Sequence, residues 1–362
     1  MNDRERYANC MLGKPIDRVP FWVYWGPWGT TWKRWEREGK PADVKNHRGF
    51  AAPDTPPLVV PVQYGPCPPV PKQVLAKTDR YIEHVDEWGI IKRDLRNSTS
   101  MAQFLKFPVG GWDDWRRYKA EHLDPDHPDR VAGDWLATCR DWTSKGYPIQ
   151  LGSFPAPSVY GGLRWLLGDE ECLLAFYDAP DLVHEIMDHL TTVYLTVFRK
   201  VVQAGVRVDV IHVWEDMCGR QGPLISPRHV REFMLPCYRR IRQFAQESDI
   251  PLISVDSDGW VDPLIEPLME GGMNEMFPFE VAAGCDVNDY RRRYPTLGMF
   301  GGIDKRVLAQ DHGAIDAELD RIWPAVRAGR YIPDLDHLVP DDVSWDNYRY
   351  YVLSLRQRIY AG

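Results

Sequence analysis

PLISVDSDGW (251–260), GGMNEMFPFEVAAGCD (271–286) and TLGMFGGIDK (296–305) are three short apolar runs, and each stops at an acid. Asp256 and Asp258 follow the first run, Glu280 the second and Asp304 the third. Helical patterns lie between the runs, so the unit reads strand, helix, strand, helix, strand, which calls for parallel strands joined by right-handed crossovers. Acids at the carboxyl ends of parallel strands converge on one face. In a (β/α)8 barrel that face carries the chemistry, because the loops after the strands aim side chains at a common point. The expected fold is therefore α/β, a (β/α)8 TIM barrel with an N-terminal extension and a Pro-rich insertion, as one domain over 1–362.

Composition agrees with such a domain. Of the 362 residues 44% are hydrophobic and 27% charged, enough apolar material for a sizeable core. The formal charge is −8 and the pI about 5.7, with no stripe of Lys or Arg to follow a phosphate backbone, so nucleic acid is excluded as a partner. No segment reaches the roughly 18 apolar residues of a membrane span, and the start MNDRERYANCMLG lacks a signal-peptide core, which gives a cytoplasmic expectation. The seven cysteines are scattered without a CxxC pair, which excludes a disulfide framework and a zinc ribbon and leaves buried thiols.

Along the chain, a helix over 3–12 leads to FWVYW (21–25), expected as the first barrel strand. Trp25, Trp28, Trp32 and Trp35 follow, either as an aromatic wall over a ligand or as a lid packed on the barrel, with Thr30 as cap and Gly39 as stop of a short helix. Dense prolines exclude helix from 41 to 71 and indicate an extended insertion. YIEHVDEWGIIKRDL (81–95) alternates like a hairpin that turns near Glu87 to Gly89. PIQLGSF (148–154) and VDVIHVWED (208–216) are strands, two short helices fill 155–180, and 180–205 is a long amphipathic helix. Tyr160 and Arg164, in the first short helix, join Trp25 as candidate substrate contacts.

The acids and one imidazole at strand ends are Glu215, Asp216, Asp256, Asp258, Glu280, Asp304, Asp336 and His337. Aimed at one cavity they repel each other unless protons or a cation intervene, and zinc or another first-row ion suits a mixed oxygen and nitrogen set. An acid just after a strand also caps the next helix, a role open to Asp258 and Asp304. His212, inside a strand, and His229, on a helix, read as core or surface residues. No GxGxxG after a strand, GxxxxGK[ST], HExxH or GxSxG occurs.

ERYANCMLGKPIDRVPFW (5–22), WEDMCGRQGPLISPRHVREFMLPCYRRI (214–241), VDSDGW (255–260), FEVAAGCDV (279–287), FGGIDKRVLA (300–309) and IPDLDHLVPDDVSWDNYRYY (332–351) together resemble the uroporphyrinogen decarboxylase superfamily, in its methyltransferase-like branch. The resemblance implies a (β/α)8 barrel. The true decarboxylases carry an arginine-rich RQAGR element for substrate carboxylates; here the same place reads WGPWGTTW (25–32), with no arginine until Arg34. Cobamide-dependent methyltransferases of the family bind zinc through His-x-Cys and a later Cys. The matching positions are Asp256 and Asp258, with Asp336 or His337 near the third, so the ligand set shifts from soft to hard.

By resemblance, the protein is expected to move a methyl group from a small methylated compound, a methyl ether or methylamine, to a separate corrinoid protein. A divalent metal, zinc first, is assigned to Asp256, Asp258, Glu280 and His337. Proton delivery falls to Glu215 or Asp216, with Asp304 beside them, and a homodimer is a further partner expectation. A decarboxylase or lyase acting on a small acid, and a non-catalytic ligand-binding barrel, are the alternatives.

Overall fold

The computed structural model describes residues 1–96 and 101–361. Its centre is a curled sheet of seven parallel strands in the order β1 (Leu58–Val59), β2 (Ile149–Leu151), β3 (Val210–Trp214), β4 (Leu252–Asp256), β5 (Glu275–Phe277), β6 (Gly298–Phe300) and β7 (Tyr331–Ile332). Spatial order equals chain order, as helical crossovers between parallel neighbours require. The three runs quoted above are β4, β5 and β6, joined by helices Asp262–Gly271 and Val287–Arg293.

Each strand is two to five residues long and is buried on both faces from β2 on, apart from Gln150 and Asp256 at the tip of β4, which are partly buried. One face meets the outer helices. Pro180–Gln203 buries Leu182, Ile186, Leu190, Val193, Val197 and Val201, the stripe its 3 and 4 spacing predicts. The other face turns inward, where Val210, Leu252, Phe277, Phe300 and Ile332 from five strands form one cluster. Helix Asp3–Met11, opened by a capping box of Asn2 and Glu5, closes the amino end of that interior with Tyr7, Cys10 and Met11.

Two expectations need correction. FWVYW is not a strand: it is extended, and Trp22 and Tyr24 face the interior while Phe21 and Val23 join the outer core, the alternation of a barrel strand without its ladder. The Asp334 carboxylate takes the place of ladder bonds by accepting from the Tyr24 N–H at 2.7 Å, and a single bridge follows at Pro27 and Val339. The first strand is instead Leu58–Val59, inside the Pro-rich segment. Its two residues pair with Ile149 and Gln150 of β2. Among the described residues seven strands, not eight, make the parallel ladder.

The hairpin holds as expected, Tyr81–Val85 pairing with Ile91–Leu95, and strands Gln73–Lys77 and Gln103–Lys106 extend it to a four-stranded antiparallel sheet. Helix Gly29–Arg37 forms without a Thr30 cap. Its Trp35 is fully buried, stacks on Tyr348 with centroids 4.5 Å apart and donates its indole N–H to the Val343 carbonyl at 2.9 Å. Trp35 therefore belongs to a packed lid. The helix opened by Ser226 and Pro227 widens into a π turn at Val230–Met234, just before Pro236, whose missing N–H cannot continue the regular ladder.

Candidate active site

Parallel register places side chains in layers. Trp214 of β3 is level with Asp256 of β4, and Asp256 with Phe277 of β5. One layer deeper, His212, Ser254 and Glu275 are level with one another. The upper layer is the mouth of the interior. Tyr24 joins it from the FWVYW segment, its ring 6.1 Å from Phe277 and 5.1 Å from Phe300, yet 38% exposed because it borders open space.

Asp256 is the group around which this layer is arranged. Its main-chain carbonyl accepts from the N–H groups of Glu215 and Asp216, at 2.9 and 3.1 Å, which locks the ends of β3 and β4 together. Its carboxyl has no hydrogen-bond partner among the described residues. Burial pushes its pKa well above the usual carboxylate range, and the charges of Asp258 and Asp216 push it further the same way. Both effects favour the protonated, neutral form of this carboxyl, which is level with Trp214 and Phe277.

Its neighbours are arranged around that acid. Asp258 lies 3.4 Å from His337 Nε2, and the His337 ring stacks on Trp25 with centroids 4.7 Å apart. Asp216, at a left-handed φ of 43° that Asp tolerates better than most residues, turns its carboxylate to Arg164 at 2.6 Å. Burial raises the Asp216 pKa and Arg164 opposes it. Arg164 also lines a 230 Å³ recess with Phe104, Phe154, Trp165 and Trp214, which opens beside Asp216. Trp25 thus lies beside His337, and Arg164 beside Asp216.

Other acids have structural duties. Glu215 is fully buried on the outer side of β3: it accepts from the N–H groups of Val159, Tyr160 and Gly161 at 2.7 to 3.1 Å and from the Tyr238 hydroxyl at 2.7 Å. It anchors the start of helix Tyr160–Leu167, where an anion is favoured, and is not a proton donor to the cavity. Tyr160 is likewise no substrate contact, because its side chain is fully enclosed against Phe176. Asp304 caps the turn Lys305–Ala309 through the Arg306 N–H and pairs with the Arg306 guanidinium, the capping role rather than a catalytic one.

The expected metal ligands do not converge. Glu280 accepts from the Gly259 N–H at 3.1 Å and pairs with Lys305 Nζ at 3.2 Å, so a cation already occupies its oxygens. Asp336 accepts from the Val281 and Lys305 N–H groups, and burial lifts it to about 6 against the pull of Lys305. Among the described residues no three His, Cys, Asp or Glu side chains are arranged to hold a metal ion. Of the set Asp256, Asp258, Glu280 and His337, the structure pairs Asp258 with His337, while Glu280 is engaged by Gly259 and Lys305.

Sequence reasoning missed Tyr24, Trp214 and His212. Tyr24 and Trp214 sat in runs that read as plain strand, and only register shows which residues of a strand face inward. No helix of the described residues is long and apolar enough to cross a membrane.

Residues 168–358, which include strands β3 to β7, match the family model described as "Uroporphyrinogen decarboxylase (URO-D)". A uroporphyrinogen decarboxylase of Prochlorococcus marinus subsp. pastoris is 21% identical over 164 residues, and the match spans 44% of this chain and 44% of that protein. A methyltransferase from Methanosarcina mazei superposes with a TM-score of 0.62 over 99% of both chains at 16% identity, a likeness of fold.

Proposed function

The chain belongs to the uroporphyrinogen decarboxylase family, and from that premise we propose that it is a methyl-transfer enzyme in which Asp256 protonates the heteroatom that gives up the methyl group. The observation that carries the reading is the neutral, unpartnered Asp256 carboxyl among Tyr24, Trp25, Trp214 and Phe277. In this proposal a small methyl ether sits against the Asp256 carboxyl. As the methyl leaves, the bonding pair stays on the ether oxygen, the Asp256 proton moves to that oxygen, and an alcohol departs. Without that proton the leaving group is an alkoxide, so a positioned acid accounts for about 10² to 10⁴ in rate.

The methyl acceptor in this proposal is a separate corrinoid protein, whose cobalt supplies the nucleophile when it docks over the mouth. The chain's own residues do the rest. Asp258 and Asp216 favour the protonated form of Asp256, and His337 and Arg164 hold those two carboxylates in place. No step runs through a metal.

A decarboxylase reading has the family model and the Prochlorococcus relative in its favour. An anionic substrate would meet Asp258 and Asp216, while the cations Arg164 and Lys305 are already paired, which opposes that reading; Arg48, near Tyr24 and in no ion pair among the described residues, is the cation such a substrate would have to use. The deciding experiment mixes the protein with a reduced corrinoid protein and a panel of methyl ethers and methylamines. Cobalt methylation, seen as a change in visible absorbance, is expected with an ether and is lost in Asp256→Asn. Carbon dioxide release from a small acid without any corrinoid would overturn the proposal.

A further inference from the structure

Below Asp256 lies a polar residue that the proton-donor role leaves unused. His212 sits mid-strand on β3, between Ile211 and Val213, which face the outer core, so its ring points into the barrel above Val210. The ring lies against Phe277 with centroids 5.3 Å apart and planes at 27°. It is only 5% exposed and has no hydrogen-bond partner among the described residues, although its neighbours in the same layer, Ser254 and Glu275, are polar. Glu275 is taken by the Tyr7 hydroxyl at 2.7 Å. Burial alone drives the imidazole pKa down to about 4, so the ring is neutral and offers one N–H donor and one nitrogen acceptor.

Ser254 Oγ beside it is fully buried without a partner, and a phenylalanine stacked on Phe277 would fill the place of the imidazole without bringing a further polar group into this layer. The sequence keeps His. We infer that His212 is the floor of the substrate site and hydrogen-bonds a neutral hydroxyl on the methylated compound, one layer below the methoxy oxygen that meets Asp256. This rests on the methyl-ether reading above and narrows it to hydroxylated methyl ethers. A carboxylate in that place would find no cation, and an ammonium would find no anion that is not already protonated or bonded. A hydroxyl can donate to the free ring nitrogen and accept from the ring N–H of the other tautomer, so it suits the site in either state.

The test is binding, which needs neither corrinoid nor turnover and so fails separately from the methyl-transfer proposal. Two matched pairs serve as probes: 2-methoxyphenol against anisole, and 2-methoxyethanol against 1,2-dimethoxyethane. Calorimetry on the wild type should show the hydroxylated member of at least one pair binding about tenfold tighter, the worth of one satisfied buried hydrogen bond. The ¹⁵N resonances of His212 should shift when it binds. His212→Phe should melt at a higher temperature than wild type and bind both members equally, and His212→Asn should keep part of the preference. If neither pair shows a preference in the wild type, or if no probe binds, the inference is overturned. A preference that survives in His212→Phe overturns it as well. Should His212→Phe fail to fold, the ¹⁵N shift and His212→Asn still decide.

Discussion

At the residue scale, the structure divides the strand-end acids by what their oxygens touch. Glu215, Glu280, Asp304 and Asp336 each accept from main-chain N–H groups, while the Asp256 carboxyl accepts from none among the described residues. Asp256→Asn should therefore lower the methyl-transfer rate by about 10²-fold or more, since the amide cannot donate a full proton. The same change should leave the thermal midpoint nearly unchanged below the elevated Asp256 pKa and raise it only above that pKa, where an ionised carboxylate meets the charges of Asp258 and Asp216. In the wild type the rate should fall as pH rises through the elevated Asp256 pKa, because the protonated form is the active one; a flat pH–rate profile would sink the assignment. The sequence showed which acids end strands and could not show this division. Capping and lining a cavity place the same residue type at the same position, and only the direction of the side chain separates them.

At the element scale, the informative case is FWVYW. Its alternation is that of a strand and its side chains are distributed as in one, yet its connection to the sheet runs through Asp334, which accepts from the Tyr24 and Leu335 N–H groups and the Tyr351 hydroxyl. Asp334→Ala should cost about 2 to 3 kcal/mol in urea unfolding, the penalty for buried donors left without partners. Hydrogen exchange at the Tyr24 amide should quicken in step; unchanged exchange would mean the segment is held by its aromatic side chains alone. Glu215→Ala should be at least as damaging, because it strips three main-chain donors at the start of helix Tyr160–Leu167 and the Ser158 and Tyr238 hydroxyls of their acceptor at once. The long elements were legible because their periodicity is strong over many residues. β1 was not, because two residues among prolines carry no period, and their place in the sheet is set by β2 alongside them.

At the scale of the whole molecule, buried acids make stability depend on pH. Burial lifts Glu275 from its ordinary 4.5 to about 7 and Asp334 from 3.8 to about 7. Between those limits the folded chain keeps protons that the unfolded chain has released, so stability is greatest at the acid end of the window and declines as pH rises towards about 7. For Glu275 alone the decline is about 3 kcal/mol, at 1.36 kcal/mol for each pH unit. The urea midpoint should be higher near pH 5 than near pH 8, and Glu275→Gln should flatten that slope; a midpoint that rises over the same range would contradict the burial of these groups as acids. The amino end of the curled sheet is covered by helix Asp3–Met11, with the Tyr7 hydroxyl bonded to Glu275. With that side stoppered, the carboxyl ends of the strands, where Tyr24 is 38% exposed, are where the proposed methyl donor and its partner protein would both arrive, and the donor would have to be seated first.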